Sequence, residues 1–253
     1  MRLHGKKIVV TGASGIAAAG ARAATREGAV VFLISLDLEE CRDLSSEIGG
    51  SAFAVADLSE EEQAEEAFES ARSTLGGIDG LFAVAGGSGR RYGDGPLDEM
   101  SLEAWESTIR INGRPALVAT REAVRSMRDR GGSVVLVSSV LATSPSPSHF
   151  STHAYAAAKG ALNSLTVSIA AYYARDGIRV NAIAPGLVDT PMSARAASDP
   201  KIVDYARRKQ PLAAGLIAPD DVAGTAVFLL SDESAMLTGQ VIAVDGGWSV
   251  TEA

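Results

Sequence analysis

Seven short apolar runs, spread along the whole chain, constrain the fold more than any other feature of the sequence. The runs are continuous rather than alternating, which is typical of strands that are buried on both faces of a sheet. Segments with helical signals separate them, and this alternation predicts an α/β fold with a parallel sheet of about seven strands and helices on both faces. We expect one domain over residues 1–253, with strands at 7–10, 29–34, 52–55, 80–85, 133–138, 178–184 and 240–244.

Two of the intervening segments carry clear helix signals. Ser59 followed by Glu62 predicts a capping box at the start of a helix, and Gly76–Gly77 predicts its end. A longer helix is predicted from Ser101 to Arg130.

Two other segments, residues 141–154 and 188–216, show only irregular or weakly helical patterns. Long loops inside compact domains are often functional. Both segments follow strands, so we expect them at the carboxyl edge of the sheet, where open parallel sheets bind their ligands.

Composition excludes several classes of protein. The net charge of −8 argues against a nucleic-acid surface, because phosphate binding requires an excess of Lys and Arg. Cys41 is the only cysteine, so the chain forms no internal disulfide, which fits a reducing compartment. No apolar run is long enough to cross a bilayer. We therefore expect a soluble, cytoplasmic protein with no membrane and no nucleic-acid partner.

The stretch TGASGIAAAG, residues 11–20, follows the first predicted strand and resembles a nucleotide-binding loop. A turn through Gly12 and Gly15 leads into a helix near Ile16, and free N–H groups at such a helix start favour a phosphate. Ala17 stands where dinucleotide loops usually have a third glycine. Alone, the loop fits a phosphate site and a plain strand-to-helix turn equally well.

Tyr155 and Lys159 are four residues apart, so on a helix they share one face. An ammonium near the phenol favours the phenolate, and we expect the pKa of Tyr155 to fall by about three units from ~10. Such a phenol can exchange a proton with an alcohol or carbonyl oxygen near neutral pH. Taken alone, the pair also fits a core tyrosine beside a solvated lysine.

Three polar residues elsewhere strengthen the catalytic interpretation. The fifth predicted strand ends in Ser138 and Ser139, which brings a hydroxyl to the ligand-binding edge. Asn112 lies in the long predicted helix, where Pro115 lacks an N–H and frees the carbonyl of Ile111 to hold a water. The alternatives are a surface amide for Asn112 and a turn-capping hydroxyl for Ser139.

Together these residues resemble the short-chain dehydrogenases/reductases. The resemblance covers the whole chain: besides Asn112, Ser139, Tyr155 and Lys159, it rests on T11-G12-xx-G15, D57-L58, V180-N181-A182-I183-A184-P185-G186 and the terminal stretch from L237 to G247. The spacing of Tyr155 and Lys159 alone is commonplace, but the whole series of motifs in this order and spacing is highly specific. It implies a Rossmann-type, doubly wound fold and an NAD(P)-dependent oxidoreductase that interconverts a carbonyl and a secondary alcohol.

The resemblance also implies a role for each catalytic residue. Tyr155 would be the general acid/base, and Lys159 would lower its pKa and bind the nicotinamide ribose. Ser139 would orient the carbonyl oxygen, and Asn112 would hold the water of a proton relay. No metal is implied.

It likewise implies a cofactor path along the sheet edge. The glycine loop would hold the pyrophosphate. Residues at or after the ends of the second, third and fourth strands would hold the adenosine, and residues after the sixth strand would meet the nicotinamide. The positions concerned are Gly12, Ser14, Gly15, Ile16, Ser35, Asp37, Asp57, Leu58, Ala85, Gly86, Tyr155, Lys159, Pro185, Gly186, Val188 and Thr190.

The chain departs from the family pattern at three places. Besides Ala17, A83-V84-A85-G86 stands where Asn-Asn-Ala-Gly is common, and the segment from Ser139 to Tyr155 is a few residues longer than usual. These departures affect cofactor affinity and substrate choice rather than the reaction type.

The choice between NAD and NADP rests on the end of the second strand, where Ser35 and Asp37 lie and a basic residue is missing. Asp37 would repel a 2′-phosphate, so NAD is slightly favoured. A cofactor-sensing regulator without turnover is the alternative function, although the presence of Tyr155 and Lys159 favours an enzyme.

Other charged and aromatic residues leave several questions open. His149 and His153 have no partners at metal-binding spacing. Arg90 and Arg91 are either solvated or contact an acidic substrate. The same two alternatives hold for the basic run 207–209. Assembly as a homotetramer, or a homodimer, follows from the resemblance alone. The substrate is a small carbonyl or alcohol, 3-oxoacyl or other, that the sequence does not identify.

Overall fold

The apolar runs form the strands of one sheet in the computed structural model, which describes residues 1–252. All of the pairings between these strands are parallel, as predicted. The strands within residues 1–252 are β1 (Lys7–Thr11), β2 (Val30–Ser35), β3 (Phe53–Val55), β4 (Gly80–Ala83), β5 (Gly132–Val137), β6 (Ile178–Pro185) and β7 (Val241–Val244).

Helices alternate with these strands along the chain. They are α1 (Gly15–Arg26), α2 (Leu38–Glu47), α3 (Glu61–Leu75), α4 (Leu102–Met127), α5 (His153–Tyr173), α6 (Ala194–Ala197), α7 (Pro200–Lys209) and α8 (Pro219–Leu230). Short 3-10 turns occur at Gly89–Tyr92, Val140–Ala142, Ala174–Asp176, Pro191–Ser193, Pro211–Ala213 and Asp232–Ser234.

The strand order is β3-β2-β1-β4-β5-β6-β7. The chain moves outward from β1 to β3 and then returns to β4 on the other side of β1. At such a reversal the connections leave in opposite directions and open a crevice at the carboxyl edge of the sheet. The expected Rossmann-type, doubly wound fold is confirmed.

The two faces of the sheet explain why the strands lack alternation. Ile8 and Val10 pack with residues of α1, α2 and α8, whereas Val9 packs with residues of α3, α4 and α5. All three side chains are at most 1% exposed, because helices cover both faces.

The long helix α4 agrees with its sequence signals. Ser101 caps it, with its Oγ accepting from the N–H of Ala104 at 3.1 Å. Gly76 ends α3 in the left-handed conformation with φ +68°, also as expected.

The capping box at Ser59 and Glu62 is wrong. The Asp57 carboxylate accepts from the N–H of Ser59 at 2.8 Å, which holds Ser59 in a turn two residues before α3 begins. The Ser59 hydroxyl instead accepts from Arg110 of α4 at 3.1 Å.

The segment 188–216 is more helical than its pattern indicates, since it contains α6 and α7. Asp199 caps α7 by accepting from the N–H of Lys201 at 2.9 Å, and Pro200 opens the helix. Residues 141–154 are irregular as expected, apart from their ends in the turn at Val140–Ala142 and in α5.

Among residues 1–252, no helix is both long and apolar enough to span a membrane. Cys41 is fully buried in the core and unbonded.

Candidate active site

The glycine loop between β1 and α1 is shaped for close approach by a ligand. Gly12 and Gly15 have φ values of +96° and +52°, which side-chain-bearing residues rarely adopt. A Cβ on Gly15 would lie 2.9 Å from Cγ2 of Thr190, and one on Gly12 would lie 3.1 Å from Cβ of Ala17. The loop therefore lacks room for side chains at both glycines.

The start of α1 has the chemistry of an anion site. Ser14 is its N-cap residue, yet within residues 1–252 its hydroxyl caps no N–H group, and the first turn carries no acidic side chain. The N–H groups of that turn border the cleft, where a phosphate would find donors and the positive end of the helix dipole. These residues fit a dinucleotide pyrophosphate.

Ala17 packs against the core behind this loop. Its side chain is 1% exposed and packs into the core formed by α1, α2 and α8. The methyl group supplies the helix–strand packing that a third glycine would serve in other dinucleotide loops.

The ends of β1 and β4 are joined by a side chain that the sequence analysis did not assign to the site. The Thr11 hydroxyl accepts from the N–H groups of Val84 and Ala85 at 3.0 and 3.1 Å. These two hydrogen bonds fix the ends of β1 and β4 to each other at the base of the crevice, where the strand order reverses.

The predicted adenosine positions line one end of a cleft of about 880 Å³. Ser35 ends β2 and Asp37 follows it, whereas Asp57 and Leu58 follow β3. Asp37 also caps α2, because its Oδ1 accepts from the N–H groups of Glu39 and Glu40 at 2.9 and 3.0 Å. Its carboxylate is thereby fixed at this end of the cleft.

Asn112 is buried inside the molecule rather than exposed on the surface of α4. Its Oδ1 accepts from the N–H of Gly87 at 3.2 Å, and its Nδ2 donates to the carbonyls of Gly87 and Thr108 at 3.0 Å each. A Cβ on Gly86 would lie 2.8 Å from Oδ1 of Asn112, so a side chain at Gly86 would displace the Asn112 amide. Asn112 thus fixes the chain after β4 against α4.

Tyr155 and Ser139 bring their hydroxyl groups to the middle of the cleft. Ser139 follows β5 and is 7% exposed, with its Oγ accepting from the N–H of Leu141 at 3.2 Å. Ser138 is not available for chemistry, because its buried hydroxyl donates to the carbonyl of Lys159 at 3.0 Å. Ser139 is therefore the better candidate of the two, as expected.

Lys159 lies behind Tyr155 on the same face of α5. Its Nζ is 5.6 Å from the centre of the Tyr155 ring and donates to the carbonyl of Val137 at 2.8 Å. Burial lowers the pKa of Lys159 to about 8, because the charged form is poorly solvated there.

The prediction that the pKa of Tyr155 is lowered is wrong for the protein without bound ligands. Burial raises the pKa of Tyr155 to about 12, and the Ser139 hydroxyl opposes this rise only in part. Desolvation of the phenolate dominates, so the phenol of Tyr155 stays protonated at pH 7 in the protein without ligands.

The predicted nicotinamide positions line the cleft beyond Tyr155. They begin at the last residue of β6 and comprise Pro185, Gly186, Val188 and Thr190. A buried side chain that the sequence analysis missed, Gln210, fixes this loop by accepting from the N–H of Leu187 at 3.0 Å and donating to its carbonyl at 2.9 Å.

The comparisons with known proteins agree with this arrangement. Residues 10–249 match the family described as enoyl-(acyl carrier protein) reductase. The chain is 38% identical over 257 residues to 3beta-hydroxysteroid dehydrogenase 1 of Eggerthella lenta, covering 98% of this chain and 95% of that protein.

Another relative and a solved structure extend the likeness. Cis-4-hydroxycyclohexanecarboxylate dehydrogenase of Sinomonas cyclohexanicum is 35% identical over 246 residues, covering 95% of each chain. The structure of a short-chain type dehydrogenase/reductase from Mycobacterium ulcerans superposes with a TM-score of 0.91 at 29% identity, covering 100% of this chain and 93% of that one.

This chain belongs to the short-chain dehydrogenase/reductase family.

As a short-chain dehydrogenase/reductase, the protein is an enzyme that acts on CH–OH groups. The comparisons give no support to the alternative of a regulator without turnover.

One buried carboxylate in this dehydrogenase was missed by the sequence analysis. Asp94 lies in the chain between β4 and α4, and its Oδ1 and Oδ2 accept from the N–H groups of Ala154 and Tyr155 at 3.0 and 2.9 Å. The N-cap residue Thr152 makes no side-chain cap, so Asp94 supplies the cap of the catalytic helix from 60 residues away. Asp94 is a positioning residue for Tyr155.

Replacing Asp94 by Asn should therefore lower kcat about tenfold and leave the KM for cofactor unchanged. One amide oxygen replaces two acceptors, so an N–H at the start of α5 loses its partner, at a cost of about 1–2 kcal/mol in stability. Steady-state kinetics and urea unfolding measure both effects. Asp98→Asn, an exposed change in the same loop, is the matched control. Unchanged kcat in Asp94→Asn would contradict the positioning role.

The far end of the cleft combines apolar walls with basic side chains. Leu141, Phe150, Met192 and Trp248 supply apolar surface, and Trp248 donates from Nε1 to the carbonyl of Ser144 at 3.2 Å. Both irregular segments of the sequence reach this end, as expected. The basic residues there are Arg90, Arg91 and Arg195.

Neither histidine of the 141–154 segment lines the cleft. His149 stacks on Tyr205 with ring centres 4.6 Å apart, and His153 is exposed at the start of α5. In the described part of the chain, no three His, Cys, Asp or Glu side chains lie together as metal ligands. The basic run 207–209 also lies outside the cleft lining.

Proposed function

We propose that this enzyme oxidises a secondary alcohol to a ketone, or reduces the ketone, with NAD as cofactor and Tyr155 as general acid/base. The observation that carries the proposal is the convergence of Tyr155, Ser139 and Lys159 on one cleft whose other end is the open start of α1. The bound nicotinamide would supply the hydride chemistry, accepting a hydride from the alcohol carbon or returning it to the carbonyl.

The side chains would handle the proton. In oxidation, the Tyr155 oxygen accepts the hydroxyl proton of the alcohol, and the Ser139 hydroxyl orients the substrate oxygen. In reduction, the neutral phenol donates that proton back. The Lys159 ammonium stabilises the phenolate across the 5.6 Å that separates its Nζ from the ring.

Asn112 is proposed to support a proton relay from Tyr155 to solvent. Pro115 lacks an N–H, so the carbonyl of Ile111 in the middle of α4 has no helical donor. That carbonyl is an acceptor for a water between Asn112 and Lys159.

The residues that would hold the cofactor follow the cleft in order. The loop from Gly12 to Ile16 would bind the pyrophosphate, and Asp57 and Leu58 the adenine. Ala85 and Gly86 would lie along the ribose, with Lys159 near the second ribose. The nicotinamide would meet Pro185, Gly186, Val188 and Thr190.

NAD rather than NADP is proposed because the adenosine end of the cleft carries the carboxylates of Asp37 and Glu40. Both would repel a 2′-phosphate at this position.

Asp37→Asn tests this preference without removing the α2 cap, since Asn caps helices as well as Asp does. We expect kcat/KM with NADP to rise about fivefold, equivalent to one close charge repulsion of about 1 kcal/mol, with little change for NAD. Asp43→Asn, exposed on the same helix, is the control. The same NADP-to-NAD ratio in Asp37→Asn and the wild type would contradict the assignment.

The substrate is proposed to be a secondary alcohol on a ring. The names of the two relatives above specify hydroxyl groups on a steroid and on a cyclohexane, and Leu141, Phe150 and Trp248 offer a ring an apolar pocket. A 3-oxoacyl substrate remains the alternative. A panel of ring alcohols, ring ketones and 3-oxoacyl thioesters, assayed with each cofactor by nicotinamide absorbance, tests the proposal. Turnover of thioesters alone would contradict it.

Assembly as a homotetramer is also proposed. Leu117 of α4 and Val167 and Tyr172 of α5 are exposed apolar side chains on adjacent long helices, and Val241 is exposed on the edge strand β7. Light scattering should give a mass about four times the 26.1 kDa of one chain. A mass of one chain at micromolar concentration would contradict the assembly.

A further inference from the structure

Three arginines lie at the substrate end of the cleft without carboxylate partners. Arg90 and Arg91 are on the 3-10 turn after β4, and Arg195 is on α6. Within residues 1–252 none of the three forms a salt bridge. Arg90 donates to the carbonyl of His149 at 3.2 Å, and the guanidinium of Arg91 lies 4.8 Å from the Tyr92 ring centre.

The arginines also lie near one another and near the catalytic groups. Burial and the neighbouring Arg195 both lower the pKa of Arg90, so Arg90 lies in a positive and partly desolvated environment. A Cβ on Gly87 would lie 4.0 Å from Nη2 of Arg91, and a Cβ on the preceding Gly86 would lie 3.7 Å from Nζ of Lys159. The three arginines therefore border the same cleft as Tyr155.

Charge is divided along the cleft. Its adenosine end carries the carboxylates of Asp37, Glu40 and Asp57, whereas its substrate end carries the guanidinium groups. Asp94 is the acidic neighbour of Arg90, but both of its oxygens already accept N–H groups of α5. The substrate end thus has guanidinium donors for an anion, while the oxygens of its acidic neighbour Asp94 are already taken by N–H groups of α5.

We infer that the substrate is a hydroxy acid or keto acid, whose carboxylate binds Arg90 and Arg195 while its carbinol carbon faces Tyr155 and Ser139. This rests on the proposed function and names its substrate class. Guanidinium groups bind planar carboxylates through paired hydrogen bonds. Leu141, Phe150 and Trp248 would contact an apolar ring or chain between the two ends of the substrate.

Calorimetric titration of cyclohexanecarboxylate and of neutral cyclohexanecarboxamide, with NAD present, tests this inference. Neither probe has a hydroxyl group, so binding is measured without turnover. We expect the wild type to bind the carboxylate at least tenfold more tightly than the amide. Arg90→Gln and Arg195→Ala should each weaken carboxylate binding about tenfold and leave amide binding unchanged.

Two controls separate this effect from others. Arg208→Ala removes an exposed arginine of α7 that does not line the cleft, and it should bind both probes as the wild type does. Arg195 is exposed on a short helix, so Arg195→Ala tests the inference even if Arg90→Gln fails to fold. The Kd for NAD should be unchanged in Arg90→Gln and in Arg195→Ala.

Equal binding of the two probes by the wild type would overturn the inference. If the arginine variants lost affinity for NAD alone, the inference would also be overturned, because the arginines would then bind the cofactor phosphates. A wild type that binds carboxylate selectively but turns over no alcohol or ketone would instead contradict the proposed function.

Discussion

Tyr155→Phe is expected to lower kcat for alcohol oxidation by about 10²–10⁴-fold, the range that a general acid/base contributes. Phenylalanine keeps the ring that packs beside Ser139 and Lys159 but removes the oxygen that accepts the proton. The Kd for NAD should change less than twofold, because the loop at Gly12 and Gly15 is untouched. Steady-state kinetics and fluorescence titration with the reduced cofactor measure the two quantities.

Tyr172→Phe is the matched control for this change, since Tyr172 lies on the same helix outside the cleft and phenylalanine keeps the ring for the proposed assembly. It should keep full activity. Equal rates in Tyr155→Phe and the wild type would show that another group moves the proton.

Lys159→Met is expected to lower activity without lowering the stability of the fold at pH 7. Methionine retains much of the lysine volume but removes the ammonium behind Tyr155, so kcat should fall about a hundredfold. The folded lysine has its pKa lowered to about 8 from 10.5. Its buried charge therefore costs stability below pH 8, and that cost disappears as the pH rises from about 8 to 10.5.

At pH 7, Lys159→Met should consequently be as stable as the wild type or more stable, by as much as about 3 kcal/mol. The loss of the bond from Nζ to the carbonyl of Val137 offsets part of this gain. Urea unfolding at pH 7 and pH 10 measures the difference, which should shrink at pH 10. A variant that loses activity only because it is unfolded at pH 7 would contradict the catalytic role.

The sequence was sufficient for the fold because the central strands are buried on both faces. Continuous runs such as 7–10 and 133–138 require two helical layers, and the alternation of elements leaves little choice of topology. The failures were local. The capping box predicted at Ser59 does not form, because the Asp57 carboxylate accepts the N–H of Ser59 and holds this residue in a turn before α3. In α7, the cap at Asp199 with Pro200 was present in the sequence but was not recognised.

The site was predictable where function depends on spacing along one element. Tyr155 and Lys159 share a face of α5 for that reason, and the loop at Gly12 and Gly15 follows its strand directly. The pKa of Tyr155 was not predictable, because it depends on how completely the fold desolvates the phenol.

Residues that act across long sequence separations could not be found in the pattern. Asp94 caps α5 from 60 residues away, and Gln210 holds a loop 23 residues earlier in the chain. Trp248 enters the substrate end from beyond the last strand. An aspartate, a glutamine and a tryptophan are each unremarkable in sequence, and their roles depend on tertiary packing.

The pH profile of alcohol oxidation with NAD tests the central claim most directly, because it reports the ionisation of the group that accepts the proton. Burial places the pKa of Tyr155 at about 12 in the protein alone, so the phenolate fraction rises with pH across the assayable range. We predict that log kcat/KM of the wild type rises with pH, up to one unit per pH unit, and that Tyr155→Phe loses this dependence. A flat wild-type profile, or the same slope in Tyr155→Phe, would contradict the account.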